Sequence, residues 1–277
     1  MALIKKIIKD KLFQTIIFLF SVLTIVPLFF ILFYIIKKGF SVINLNFLFS
    51  ITTSTGHDTI FRAIIGSLLI IILASLIAIP PGIITGIYLS ENKKNKLASI
   101  IRLLTEILQG LPSIVIGILA YLWFVKPIKT FSALSGAISL SIIMLPIIVR
   151  STEETLNLIP ISLKEASLAL GVPYYKTMIK VILPAGISGI SSGILLSIAR
   201  IAGETAPLLF TAFGNPYLSF NILKPTETLP LLIFNYATSP YEKWHQIAWG
   251  ASFVLIVIVF ILNILARLGS RKWKVKF

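Results

Sequence analysis

The sequence predicts an all-α membrane protein, a bundle of six transmembrane helices, and three observations carry that expectation. Of its 277 residues 57% are hydrophobic and 13% charged, with a mean hydropathy of +0.97, whereas a soluble domain is about a quarter charged. The apolar residues gather into runs near the ~20 residues that a spanning helix needs. The 25 basic residues stand against 10 acidic ones and cluster between those runs, mostly on one side if the chain crosses six times.

Residues 12–36 contain no charge and read as a first span. The stretch is too long for the apolar core of a signal peptide and is expected to be a retained anchor. Polar residues 37–60, with Thr52, Thr53, Ser54, Thr55 and Gly56, read as an external loop. The second span runs from about Ala63 to Ser90, and residues 91–96 make a short turn. The third covers roughly 100–125 and the fourth 131–149. Residues 151–183 have a different texture, with charges set among regularly spaced Leu and Ile. A fifth span covers 184–212, a loop rich in Pro, Asn and Tyr fills 213–243, and a sixth span runs from Trp244 to Ala266. The implied division is an anchor and external loop (1–60), a transmembrane bundle (61–266, with the middle loop at 151–183) and a basic tail (267–277).

Net charge of +15 invites a nucleic-acid reading, but its placement argues for orientation instead. Lys5, Lys6, Lys9 and Lys11 precede the first run; Lys93, Lys94, Lys96 and Arg102 follow the second. Arg150, Lys164, Lys176 and Lys180 flank the middle loop, and Arg267, Arg271, Lys272, Lys274 and Lys276 close the chain. Fewer fall on the other side: Lys37, Lys38, Arg62, Lys126, Lys129, Lys224 and Lys243. This bias puts both termini in the cytoplasm and leaves no case for nucleic acid. With no cysteine, and with His57 and His245 far apart, no metal-ligand spacing is present. No nucleophile–base motif supports a membrane-embedded enzyme.

In the middle loop Leu156, Ile159, Leu163, Ala166 and Leu170 recur at helical intervals, which predicts an amphipathic helix. Gly171 permits a left-handed helix end and Pro173 prevents continuation. Leu183-Pro184 then restarts a helix at the membrane. Such a helix alone fits one lying on lipid. Its spacing is more specific: Glu165-Ala166-Ser167, then Gly171, then Val181-Ile182-Leu183-Pro184 resembles the EAA loop of ABC-importer permeases, with Ser167 and Val181 as substitutions. That resemblance implies a small helix near 161–170 that docks into a separate ABC ATPase. The chain has no Gly-Lys pair and hence no phosphate loop of its own. ATP and Mg are therefore expected on a partner, with no cofactor bound by this chain.

Charges inside the spans are the candidate substrate residues. Arg200 lies roughly 24 Å along the fifth helix from Pro184, within the ~30 Å hydrocarbon slab, where a charge needs a partner. Glu204, four residues on, supplies one. The pair is either a bundle lock or a pathway arginine suited to tetrahedral oxyanions, with Glu204 tempering its charge. Gly186, Gly189 and Gly193 read as packing residues. Arg150 ends the fourth run near the cytoplasmic surface, where a snorkelling role and a ligand role are equally open. In the third run Pro112 either kinks the helix or frees backbone groups beside a wet cavity, letting Ser113 donate to an anion. Glu106 pairs in expectation with Arg102. Pro80, Pro81, Gly82 and Gly86 read as a kink and a packing face.

Four stretches together resemble the PstA family of phosphate-importer permease subunits: residues 110–117 (Gly-Leu-Pro-Ser-Ile-Val-Ile-Gly), 145–150, 165–184, and 199–212 with Gly203-Glu204-Thr205-Ala206-Pro207 at its heart. The likeness covers most of 60–266. It implies a six-helix, type I ABC-importer bundle that forms half of a phosphate pathway in the cell membrane. It further implies roles for Arg150, Arg200 and Glu204 in phosphate passage. The implied partners are a sister permease (PstC-like), two ATPase subunits (PstB-like), an external phosphate-binding protein (PstS-like) and the lipid bilayer. The alternatives are a permease for molybdate or sulfate and a membrane component of phosphate signalling.

Overall fold

A computed structural model describes residues 2–49 and 59–272. The polar run at 52–56, His57 and the tail beyond Lys272, with Lys274 and Lys276, lie outside the described residues. Among the described residues every regular element is a helix, and the strand-like feature is an isolated bridge between Phe213 and Thr226. Five helical segments are long and apolar enough to cross a membrane, and six if one sharply bent pair counts as a span.

Helix α1 (Ala2–Phe40) buries none of its apolar window against the rest of the chain. It meets the bundle through α13 (Glu242–Lys272), where Tyr34 stands edge-on to Trp249 at 5.1 Å and Phe40 to Phe253 at 6.2 Å. A short α2 (Leu45–Phe49) follows and buries Phe47, so part of the expected loop at 37–60 is helical.

Three helices make the centre: α3 (Phe61–Glu91), α7 (Ala133–Asn157) and α10 (Leu183–Ala202). Their core includes Ile70, Ala74, Leu140, Met144, Ile148 and Ile201. Gly82 abuts Ile148 and Gly86 abuts Thr152, so the Pro80–Gly86 region is a packing face between α3 and α7. The first N–H groups of α7 are satisfied by a returning loop. Ser132 N donates to Thr211 O, Ala133 N to Lys224 O and Leu134 N to Ile222 O, which removes the penalty of orphaned donors at a buried helix start.

Two expected spans are broken. The third is a pair, α4 (Lys96–Gly110) and α5 (Ser113–Ala120), bent by 103° and continued through a π-turn (Tyr121–Val125) into α6 (Lys126–Ile128). Leu111 is extended, with ψ 135°, as the residue before proline prefers. Pro112 therefore makes a right-angled corner, sharper than a kink. The fifth span ends at Ala202, and after a turn at 203–205 a short α11 (Ala206–Thr211) begins with Pro207 in its first turn.

The amphipathic stripe expected over 156–170 is also divided. Helix α7 runs on through Asn157, and a separate α8 (Ile161–Ala169) starts after Pro160. Gly171 then takes φ +75°. A single turn, α9 (Tyr174–Thr177), passes through a π-turn (Met178–Ile182) into α10 without interruption. Pro184 thus sits inside a continuous helix rather than at a fresh start, with the π-turn just ahead relaxing the backbone that Pro184 cannot bond.

The segment 213–243 is only partly the expected loop. It holds α12 (Leu229–Ala237), capped by Thr228, whose side chain accepts from Leu231 N. Leu229, Leu231 and Leu232 are fully buried. Pro230, counted among loop residues in the sequence, lies in the first helical turn, where its missing N–H costs little.

Candidate functional site

The site is organised by the seam between α7 and α10. A Cβ on Gly193 would fall 1.9 Å from Ser151 Oγ, and one on Gly189 would fall 2.4 Å from Thr155 Oγ1. The order of these contacts makes the helices antiparallel, and small residues allow their close approach. Arg200 follows Gly193 by two helical turns and lies on the same flank of α10. Arg150 directly precedes Ser151. The two arginines therefore sit on neighbouring central helices, about 9 Å apart in depth by the helical rise, with Arg150 on the side of α7 that meets α4.

Arg150 is not at a helix end. Helix α7 continues for seven residues beyond it, to Asn157, so the helix does not end at Arg150 as the hydropathy run does. The Arg150 side chain is 45% exposed and its guanidinium is held by two carboxylates: Nε donates to Glu154 Oε1 at 2.7 Å and Nη1 to Glu106 Oε1 at 3.1 Å. Glu106 was expected to pair along its own helix with Arg102. Instead Arg102 crosses to Glu153, 2.6 Å away, and also donates to Leu89 O at 2.7 Å. Antiparallel α4 and α7 place residues 102 and 106 opposite 153 and 150, so inter-helix pairing wins over the i,i+4 option.

Arg200 occupies the last turn of α10 and is 47% exposed, with Nε 3.6 Å from Glu204 Oε1. Glu204 lies in the turn after the helix, and its N–H donates to Ile201 O. The pair forms across the helix end instead of along a continuous span. Ser113 opens α5 at the α4–α5 corner. Among the described residues neither arginine shares a hydrogen bond with Ser113 or with the other arginine. The corner and the turn do meet elsewhere: a Cβ on Gly117 would lie 2.7 Å from Pro207 Cα. The stretch around 110–117 and the stretch around 203–207 are thus one structural unit.

In the middle loop, α8 presents Glu165 and Ala166 to solvent, with Ile161 72% and Leu170 84% exposed. Ser167 turns inward, 8% exposed, and shares a 2.9 Å hydrogen bond with Thr177. That bond fastens α8 to α9. Gly171 and Pro184 are exposed and Leu183 is half-buried. Glu91, at the end of α3, accepts from both Lys164 and Tyr174. This tether borders an open cavity of about 810 Å3 lined by Asn92, Asn95, Asn157 and Ile161.

A buried polar group at the opposite end was not legible in the sequence. Arg62, read there as a flanking charge, is 8% exposed and donates to Tyr236 Oη and to Thr59 O at 3.2 Å each. Glu227 beside it is 9% exposed, and burial pushes its carboxyl up to about 7 despite the attraction of Arg62. Among the described residues no cluster of three His, Asp or Glu gathers for a metal.

This arrangement of an interrupted bundle and an exposed short helix between two spans has known relatives. The profile of the binding-protein-dependent transport system inner membrane component matches residues 82–275. The chain belongs to this family. It is 39% identical to the phosphate transport system permease protein PstA of Pasteurella multocida, covering 94% of each chain. It is 42% identical to PstA of Yersinia pestis, over 88% of this chain and 84% of that one. A probable PstA of Methanocaldococcus jannaschii is 37% identical over 95% and 94%. In fold, an inward-facing structure of the MetNI methionine ABC transporter superposes with a TM-score of 0.68. That likeness covers 81% of this chain and 100% of that one at 16% identity. A family of inner membrane components and the apolar helices of this chain make it a multi-pass membrane protein.

Proposed function

We propose that this chain is the permease subunit of an ATP-driven inorganic phosphate importer and forms half of its translocation pathway. The observation that carries the reading is the pair of half-exposed arginines, Arg150 and Arg200, carried at different depths by the packed helices α7 and α10. A guanidinium offers forked donors to a tetrahedral oxyanion, and two at successive depths provide stations along a path. Identity of about 40% to phosphate permeases over most of the chain supports phosphate as the cargo. Ser113, at the corner that packs on α11, is the further pathway candidate.

In this reading the chain performs no catalysis and binds no cofactor; ATP and Mg belong to two ABC ATPase subunits. Exposed α8, with Glu165, Ala166 and Gly171, and the Leu183-Pro184 run support docking to one of them. The second half of the path comes from a sister permease, and an external phosphate-binding protein delivers the anion. Both termini and α8 face the cytoplasm, in keeping with the placement of Lys and Arg. Segments 1–60, 61–266 and 267–277 serve as anchor, permease body and basic tail.

The test is radiolabelled phosphate uptake by the reconstituted complex, with sulfate and molybdate as competitors. Arg200→Gln is expected to remove uptake while leaving the complex assembled. Normal uptake by that variant would overturn the pathway role. Equal competition by sulfate or molybdate would transfer the assignment to a general oxyanion permease.

A further inference from the structure

Arg150 and Arg200 differ in the charge that surrounds them. Arg200 faces one carboxylate at 3.6 Å, so its site is close to neutral. Arg150 is gripped by two carboxylates at 2.7 and 3.1 Å, which leaves its site with a net negative charge. Phosphate oxygens and carboxylate oxygens compete for the same guanidinium N–H groups. With both carboxylates in place, Arg150 has little attraction left for an anion.

The two ion pairs between α4 and α7 also differ in kind. Arg102–Glu153 is the drier, with side chains 25% and 10% exposed, and Arg102 is further pinned to Leu89 O. Arg150–Glu106 is wet, with side chains 45% and 59% exposed. A wet pair is weak and exchangeable, while the dry one fixes the approach of the helices. Glu154 is 61% exposed and follows Arg150 by one turn, on the α8 side of it. Glu106 belongs to a different helix, just ahead of the 103° corner at Leu111-Pro112, so its grip depends on how α4 lies against α7.

We propose that Glu106 and Glu154 are displacing carboxylates: they take the Arg150 guanidinium back from a bound oxyanion and so discharge it toward the α8 end of the bundle. In the loaded state the anion holds Arg150 and the carboxylates stand off. In the state seen here the carboxylates have recovered it. Glu106 and Glu154 act through Arg150 and are positioning residues. This inference rests on the assignment of Arg150 to the phosphate pathway and adds how the anion leaves.

The experiment measures phosphate uptake by the reconstituted complex for Glu106→Gln, Glu154→Gln, Glu106→Asp and Arg150→Gln, each checked for assembly by size-exclusion chromatography. Losing one competitor leaves the anion bound longer. Both Gln variants are therefore expected to show kcat and KM falling together, several-fold, with Glu106→Asp recovering most of the loss. Phosphate alone should also raise the melting temperature of the nucleotide-free Gln variants more than that of the parent, a readout that needs no turnover. Unchanged kcat and KM, or a raised KM with kcat intact, would overturn the displacement role. If Arg150→Gln transports normally, the pathway reading of Arg150 fails and takes this inference with it. If Arg150→Gln is inactive while both Gln variants match the parent, only the displacement role fails.

Discussion

Burying a carboxyl group near a guanidinium sets desolvation against attraction, and at Glu227 desolvation dominates, so its carboxyl is pushed up to about 7. The folded chain then holds a proton between about pH 4.5 and 7 that the unfolded chain has released. The stability of this corner is therefore fully present below the ordinary carboxylate value and declines as pH rises to about 7, by up to about 3 kcal/mol. Protection factors for amide exchange across residues 226–232, each referred to the intrinsic rate at its own pH, are expected to be larger at pH 5 than at pH 7.5, and Glu227→Gln is expected to remove most of that difference. An equal pH difference in the variant would reject Glu227 as the group responsible. The sequence could not disclose this residue, because a lone Glu in a Pro-rich stretch reads as a solvated loop charge. Its burial follows from Gly66, where a Cβ would lie 1.9 Å from Glu227 O, so only a glycine on α3 lets that backbone descend. Arg150 shows the same limit in another form. Its partner Glu106 is 44 residues away, and nothing local separates it from the nearer Arg102.

At the level of whole helices, the α7–α10 seam was legible in part. The Gly189–Gly193 spacing reads as a close-packing face, and both glycines do meet α7. Gly193→Ala should strain the seam, because its Cβ would enter Ser151. Overpacking of this kind costs roughly 1–3 kcal/mol. A lowered melting temperature is expected for the purified permease, partly restored when Ser151→Gly is added; no change in the single variant would contradict the contact. Breaks in the spans were harder to read than their existence. Pro112 and Pro207 are visible in the sequence, but a proline permits a gentle bend or a sharp corner. Tertiary packing of α5 on α11 decides between them. The link between α8 and α3 is another long-range feature. Glu91 accepts from Lys164 and Tyr174 across the rim of the α8-side cavity, and so ties the α8 loop to the end of α3. Glu91→Gln with Tyr174→Phe is expected to raise the ATP hydrolysed per phosphate imported several-fold, measured in one proteoliposome preparation. An unchanged ratio would remove the tether from the coupling route.

For the molecule as a whole, the six apolar runs, their order and the exposed element between the fourth and fifth were all readable from hydropathy and spacing. The reason is physical: lipid requires long helices with internally satisfied backbones, which leaves a strong linear signature. Deleting residues 161–171 is expected to abolish co-purification with the ATPase while the remaining spans still insert; undiminished co-purification would move the docking surface elsewhere. What the linear signature cannot encode is which helices touch. The first helix makes its main contact with the last, through Tyr34 with Trp249 and Phe40 with Phe253. This has a consequence for biogenesis. While the ribosome is still making the middle of the chain, α13 does not yet exist, so Tyr34 and Phe40 have not met Trp249 and Phe253. A chain arrested before α13 would therefore carry α1 without its aromatic contacts to the bundle.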